Sequence, residues 1–255
     1  MEISEHLDAL RLHGTVLADA AGAAGLQAPV PPCAPWAVGD LLRHTGYIHR
    51  WAAQHVTDRA PSMIDGPPES EILRGGADDA GLLDWFRAGH AALVETLAGA
   101  EPTLQCATFM PAPSPVAFWA RRQAHETAIH RADAESSAGT RPEFPPAFAA
   151  DGIDELLLGF GQRGKYSPAA PAASSAGLRV QTTDTSDAWH LGAADGRIVA
   201  HRGPGPGECL VSGPASGIYL FLWNRAPAGQ ESGVTVTGGP AFLTAWQASV
   251  RVRWG

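Results

Sequence analysis

Lysine is almost missing from this chain: Lys165, in the segment GQRGKYS, is the only one. A Schiff-base chemistry therefore has a single candidate, and a loop position suits a solvated lysine better. Cysteine is scarce too. Cys33, Cys106 and Cys209 are widely spaced and odd in number, which excludes a disulfide framework and any Cys-x-x-Cys metal site. No Gly-x-Ser-x-Gly elbow and no glycine loop ending in Lys-Ser/Thr occurs, so serine-hydrolase and P-loop chemistries have no anchor. No apolar run reaches the roughly eighteen residues of a membrane-spanning helix. The opening residues, MEISEHLDALRLHG, alternate charge with leucine and do not fit a secretory signal. Basic charge is also in deficit, with 18 Lys and Arg against 26 Asp and Glu and a net charge of −8. An acidic surface opposes phosphate backbones and anionic bilayers, so nucleic acid and membrane are not expected partners. The expectation is a cytoplasmic protein, monomer or homodimer, acting on small molecules.

What is present is histidine, and it is unevenly placed. Eight of the 10 histidines fall at positions 6, 13, 44, 49, 55, 90, 125 and 130, which puts any histidine chemistry in the first half. That half is helical in pattern. Leu7, Leu10, Val16 and Leu17 keep a 3–4 spacing, and Trp36 to Thr57 carries an apolar stripe. Asp79 to Leu97 and Val116 to Glu135 continue the theme, separated by proline- and glycine-rich segments. Four amphipathic helices make a bundle the economical solution. After about residue 140 the pattern changes. One further helix is expected over Asp151 to Gly161, then an exposed linker, YSPAAPAASSAG. Period-two segments follow (LRVQTT, AWHLG, GRIVAHR, ECLVSG, VTVTG and a closing VRVRWG), interrupted by the helical ASGIYLFLWNR and FLTAWQA. The fold class is α+β with two domains, residues 1–140 and 141–255.

The strongest local signal is RRQAHETAIH in the fourth long helix. Glu126 and His130 are four residues apart and so lie about 40° apart on one face, whereas His125 is turned away by about 100°. Such a pair offers two borderline-hard ligands suited to zinc, iron or nickel, and a third must come from another helix. The second helix offers Asp40, His44 and His49, with Asp40 placed to orient His44 or compete with it. The same spacing also fits a solvated Glu/His pair, and Arg131 with Asp133 reads as a solvated face, although Asp133 also stands where it can support His130. His49 and His55 read as ordinary helix histidines. Cys33, just before a helix start, reads as a buried structural thiol. Trp36, Trp51, Trp85 and Trp119 read as core.

PPCAPWAVGDLLRHTGYIHRW resembles the second-helix motif of the mycothiol-dependent maleylpyruvate isomerase-like family, and FWARRQAHETAIHRADAE resembles its fourth-helix motif. The segments AWHLG, GRIVAHRGPG and LFLWNRA resemble the smaller domain of the same family. The resemblance implies a DinB-like up-down four-helix bundle followed by a sterol-carrier-like α+β domain. It implies a divalent metal, usually zinc, on His44, Glu126 and His130, with mycothiol as thiol cosubstrate. It also implies that Arg225 reads a substrate carboxylate, where a helix-terminal arginine satisfying carbonyls is the plainer alternative. One departure is visible: the family's Cys-Pro-Gly-Trp turn here reads Cys33-Ala34-Pro35-Trp36. The implied activity is thiolate addition to a small electrophile, S-transferase-like. The alternatives are cis–trans isomerisation by reversible addition and a non-catalytic metal- or ligand-binding module.

Overall fold

A computed structural model describes residues 1–162, 177–195 and 197–249. The chain divides into two compact units, one ending at Pro142 and the other beginning at Glu143. The linker from Tyr166 to Ala176, Lys165 and the closing VRVRWG segment lie outside the described residues.

The first unit is built on four long helices: α1 (Ile3–Ala24), α2 (Val38–Thr57), α4 (Leu82–Ala98) and α5 (Pro115–Ser137), with a one-turn α3 (Glu69–Ile72). Their starts are chemically marked. Glu5 accepts a hydrogen bond from the Glu2 amide at 2.7 Å, and Ser114 Oγ accepts from Ala117 at 3.1 Å ahead of Pro115. α2 begins two residues later than the apolar stripe suggested. Trp36 is held instead in a turn, its carbonyl accepting from Val30 at 2.9 Å and its amide donating to Cys33 at 3.0 Å. Asp40 is not aimed at His44, because its Oδ2 accepts from the Ala37 amide at 3.0 Å and closes the helix start.

α1 packs along α5 and α2 along α4. Leu10, Leu17, Leu41, Leu42, Phe86 and Trp119 are fully buried between them. α5 is the central element. Arg122, Gln123, His125, Glu126, His130 and Asp133 are all buried on it, although its sequence reads as polar on most faces. The other early histidines are core groups, not surface residues. His55 Nδ1 donates to the Trp51 carbonyl at 2.8 Å while Nε2 accepts from the Ile64 amide at 2.9 Å. His90 Nε2 donates to the Leu10 carbonyl at 2.9 Å, and that approach needs Gly14, since a Cβ there would stand 2.2 Å from the ring nitrogen. Gly14→Ala is therefore expected to displace His90 and break its hydrogen bond. The net loss should be about 2 kcal/mol after the helical gain of alanine is subtracted, read as a lower urea midpoint.

The second unit opens with α6 (Pro146–Asp154), which continues through a wide turn over Glu155–Gly159 and a tight one over Phe160–Gln162. This helix starts five residues earlier than the sequence pattern suggested, with Pro146 in its first turn. A five-stranded sheet follows, in the order β3-β2-β1-β4-β5. Its strands are β1 (Leu178–Thr182), β2 (Ala188–Ala194), β3 (Arg197–Arg202), β4 (Cys209–Gly213) and β5 (Thr235–Thr237). β1 and β4 are parallel, joined by a crossover through β2 and β3, and the remaining pairs are antiparallel. The strict alternation in β1, buried at Leu178, Val180 and Thr182, gives the sheet one covered face. α7 (Ala215–Leu222) and α8 (Ala241–Ser249) complete the unit. No described helix is long and apolar enough to cross a membrane.

Candidate metal centre

Three side chains converge inside the helical unit. His44 comes from the first half of α2, and Glu126 and His130 come from successive turns of α5. One ligand atom from each lies within 4.8 Å of the others, and all three residues are buried. Glu126 Oε1 stands 3.5 Å from His44 Nε2 and 3.3 Å from His130 Nε2. Those separations are long for charge-assisted hydrogen bonds, which are about 2.7–2.9 Å. They match the edges of a small tetrahedral site: two ligands about 2.0–2.1 Å from an ion stand about 3.3–3.4 Å apart. The donor chemistry and the spacing both fit a divalent ion such as zinc.

The residues around this trio orient each candidate ligand. Arg122, one turn before Glu126, donates from Nη2 to Glu126 Oε2 at 2.8 Å and leaves Oε1 facing the histidines. His130 Nδ1 lies 3.0 Å from Asp133 Oδ2, and Cys33 Sγ lies 3.4 Å from the same oxygen. The indole of Trp36 packs on His44 with centroids 4.8 Å apart and reaches to 6.4 Å from His130. Half-exposed, Trp36 and Cys33 border the cluster where it approaches solvent. Glu69, at the start of α3, is close enough to His44 to act on its charge.

The electrostatics follow from burial and from these neighbours. Burial holds the His44 pKa below the ordinary imidazole value despite the nearby carboxylate. Burial also opposes the His130 imidazolium, but Asp133 and Glu126 outweigh it and raise its pKa to about 9. Glu126 is likewise penalised by burial, yet His130, His44 and Arg122 hold it well below the usual carboxylate range. Without an ion, the buried network is therefore charge-balanced: Glu126 and Asp133 against Arg122 and the His130 imidazolium.

The structure thus brings together the trio expected from the sequence. It corrects the idea that Asp133 and Arg131 form a solvated face. Asp133 is fully buried beside His130, and Arg131 pairs with Glu135 at 2.9 Å and meets His13 Nδ1 at 3.1 Å. His125 faces α1, its ring 6.2 Å from that of His6, as its angular offset required. Arg122 and Trp36 were missed as parts of the site. A signal was present for the first: Arg122, Glu126, His130 and Asp133 all fall within a stripe about 80° wide on one helix. Nothing local marked Trp36, because its contact with His44 depends on the turn before α2. Arg225 belongs to the other unit, just beyond α7, where its Nη1 donates to the Trp223 carbonyl at 2.9 Å. That contact is of the kind the helix-terminal reading describes.

The fold and this cluster define a class: a helical bundle carrying a buried two-histidine, one-carboxylate set, joined to a small α+β unit. The chain belongs to the family described as the mycothiol maleylpyruvate isomerase N-terminal domain, which matches residues 7–135. Among solved structures, it resembles the mycothiol-dependent maleylpyruvate isomerase at 18% identity, TM-score 0.66, over 93% of each chain. A histidine-to-alanine mutant of that enzyme matches at 17% identity, TM-score 0.68, again over 93% of each chain. These likenesses show a shared fold over both units. No curated protein sequence matches this chain.

Proposed function

We propose that this protein is a divalent-metal-dependent enzyme that uses mycothiol as a nucleophile toward a small electrophile. The observation that carries the proposal is the convergence of His44, Glu126 and His130 at separations suited to one ion. Three protein ligands leave a position open for an exogenous group, as catalytic zinc sites require. A divalent ion there would supply Lewis-acid stabilisation of a thiolate near neutral pH.

The chain's own charges favour the same ligand. Glu126 and Asp133 are anionic and Arg122 is cationic, and His130 must give up its Nε2 proton to become a ligand. With a dication present, Glu126, Asp133 and Arg122 sum to one positive charge, which a bound thiolate or the nearby Glu69 can offset. The protein's own thiols are poor substitutes. Cys209 is buried and Cys106 half-buried, and burial pushes both thiol pKa values up. Cys33, the thiol that borders the cluster, is engaged with Asp133 Oδ2 at 3.4 Å, so the reactive sulfur is assigned to the cosubstrate. Family membership points to mycothiol as its carrier.

Addition of a thiolate to an activated alkene forms a C–S bond and a carbanion. Protonation of that carbanion leaves an S-conjugate, whereas rotation and expulsion of the same thiolate leave the isomerised alkene. S-transfer and isomerisation thus share a first step, and the activity named for the matched structures favours the isomerase reading. A role for Arg225 in holding a substrate carboxylate rests on the family resemblance alone.

The test is a thiol screen with maleylpyruvate and a panel of activated alkenes. Purified protein is incubated with mycothiol, glutathione or no thiol, and products are followed by mass spectrometry. Turnover with mycothiol alone is expected, with no net thiol consumed if the reaction is isomerisation. Equal turnover without thiol, or unchanged turnover after removal of the ion, would sink the proposal and leave a binding module.

A further inference from the structure

We infer that Asp133 is a positioning residue for the metal centre, holding His130 with its Nδ1 proton turned away from the ion site and its Nε2 turned toward it. This rests on the reading of His44, Glu126 and His130 as ligands and goes beyond it to a residue that touches neither ion nor substrate.

The two nitrogens of His130 face different partners. Nε2 lies 3.3 Å from Glu126 Oε1 on the ligand side, and Nδ1 lies 3.0 Å from Asp133 Oδ2 on the other. An imidazole that binds an ion through Nε2 must carry its proton on Nδ1, and a buried carboxylate facing Nδ1 secures that tautomer. Asp133 can do this because it is itself held. It is one turn after His130 on α5, fully buried, and its Oδ2 also meets Cys33 Sγ at 3.4 Å. Cys33 belongs to the turn that precedes α2, the helix carrying His44. The contact therefore ties that turn to the α5 ligand. Arg122 gives Glu126 a comparable constraint through Oε2, so both α5 ligands are oriented from the side away from the ion.

The experiment compares the full-length native protein with Asp133→Ala and Asp133→Asn, measuring zinc affinity by competition with a chromogenic chelator. Urea unfolding of the metal-free forms is followed in parallel. Asp133→Ala is expected to weaken zinc binding by about ten- to a hundred-fold, the usual loss for such partners. Asp133→Asn, which keeps an acceptor of the same shape, should weaken it by less. In the zinc-loaded native protein, the His130 Nδ1 proton should give a slowly exchanging, downfield resonance that Asp133→Ala removes. A folded Asp133→Ala protein that binds zinc within twofold of native, with that resonance intact, overturns the inference. So does a variant whose only change is a lower urea midpoint. Failure of His44→Ala to alter zinc binding would instead strike at the ligand assignment itself, so the two failures are distinguishable.

Discussion

Glu126→Gln is expected to leave the purified protein with less than about a tenth of an ion per chain and to lower thiol-dependent turnover by about a thousand-fold or more. The carboxylate meets both histidines of the trio and Arg122. Its Oε1 faces both histidines, at 3.5 and 3.3 Å, and its Oε2 takes the Arg122 hydrogen bond at 2.8 Å. Glutamine keeps the shape but has no charge, and its amide hydrogens must point either at Arg122 or at the histidines. Both are donors in the metal-free protein, so one contact becomes donor against donor. Removing one partner of a buried ion pair typically costs about 3–5 kcal/mol. The loss should fall near the lower end, about 3 kcal/mol, because His130 can shed its proton when its counter-charge is gone, whereas Arg122 cannot. Elemental analysis checks the first expectation and urea unfolding of the metal-free protein the last. A Glu126→Gln protein that keeps its full complement of ion would refute the ligand assignment.

Mild acid should destabilise the metal-free protein well before its carboxylates titrate. His13 is buried with its Nδ1 3.1 Å from Arg131 Nη1, and the guanidinium has only donors, so this nitrogen must accept and the ring must stay neutral. Burial, Arg131 and His125 lower its pKa to about 3. The unfolded chain takes up a proton near pH 6.5 that the folded one refuses, so stability falls as pH falls between about 6.5 and 3. At about 1.4 kcal/mol per pH unit, His13 alone removes roughly 2 kcal/mol by pH 5. His44, His49, His55 and His90 act in the same direction, each lowered chiefly by burial. His49 is the clearest of them: Thr127 spends its hydroxyl proton on the Gln123 carbonyl and so accepts from His49 Nε2 at 2.9 Å, leaving Nδ1 unprotonated.

His130 offsets only a small part of this loss, and Glu126 none of it. The raised His130 pKa adds stability that is complete below about pH 6.5 and is lost progressively as pH rises from there through about 9. The depressed Glu126 pKa adds stability that fades only below the unfolded carboxylate value. The urea midpoint of the metal-free protein should therefore drop steeply from pH 7 to pH 5. His13→Gln should flatten the slope by about one proton. Equal midpoints at the two pH values would show that these histidines titrate normally.

Much of the candidate centre was legible because it is helical. Glu126 and His130 share a face by spacing, His125 is excluded from it by the same rule, and Asp133 and Arg122 lie on the same stripe. Less legible was burial. A helix with Arg122, Gln123, His125, Glu126 and His130 looks solvated, but α5 is flanked by α1 and α2, and Arg122, Glu126, His130 and Asp133 partner one another inside the bundle. Asp40 was misread for the opposite reason. Its nearest competitor was the backbone, and a free amide at a helix start captures a nearby carboxylate before a side chain four residues on can.

The amino-acid sequence by itself determined the α+β class, the long helices of the first unit, the strands of the second and the pairing of Glu126 with His130. These follow from periods of 3.6 and 2, which every residue inherits from local backbone geometry. Only the tertiary structure decided that His44 meets that pair from another helix, that Trp36 and Cys33 border it, and that His13, His49, His55 and His90 stay neutral within the core. These outcomes depend on which faces pack and on how buried charges are matched, and neither is carried by spacing along one chain segment.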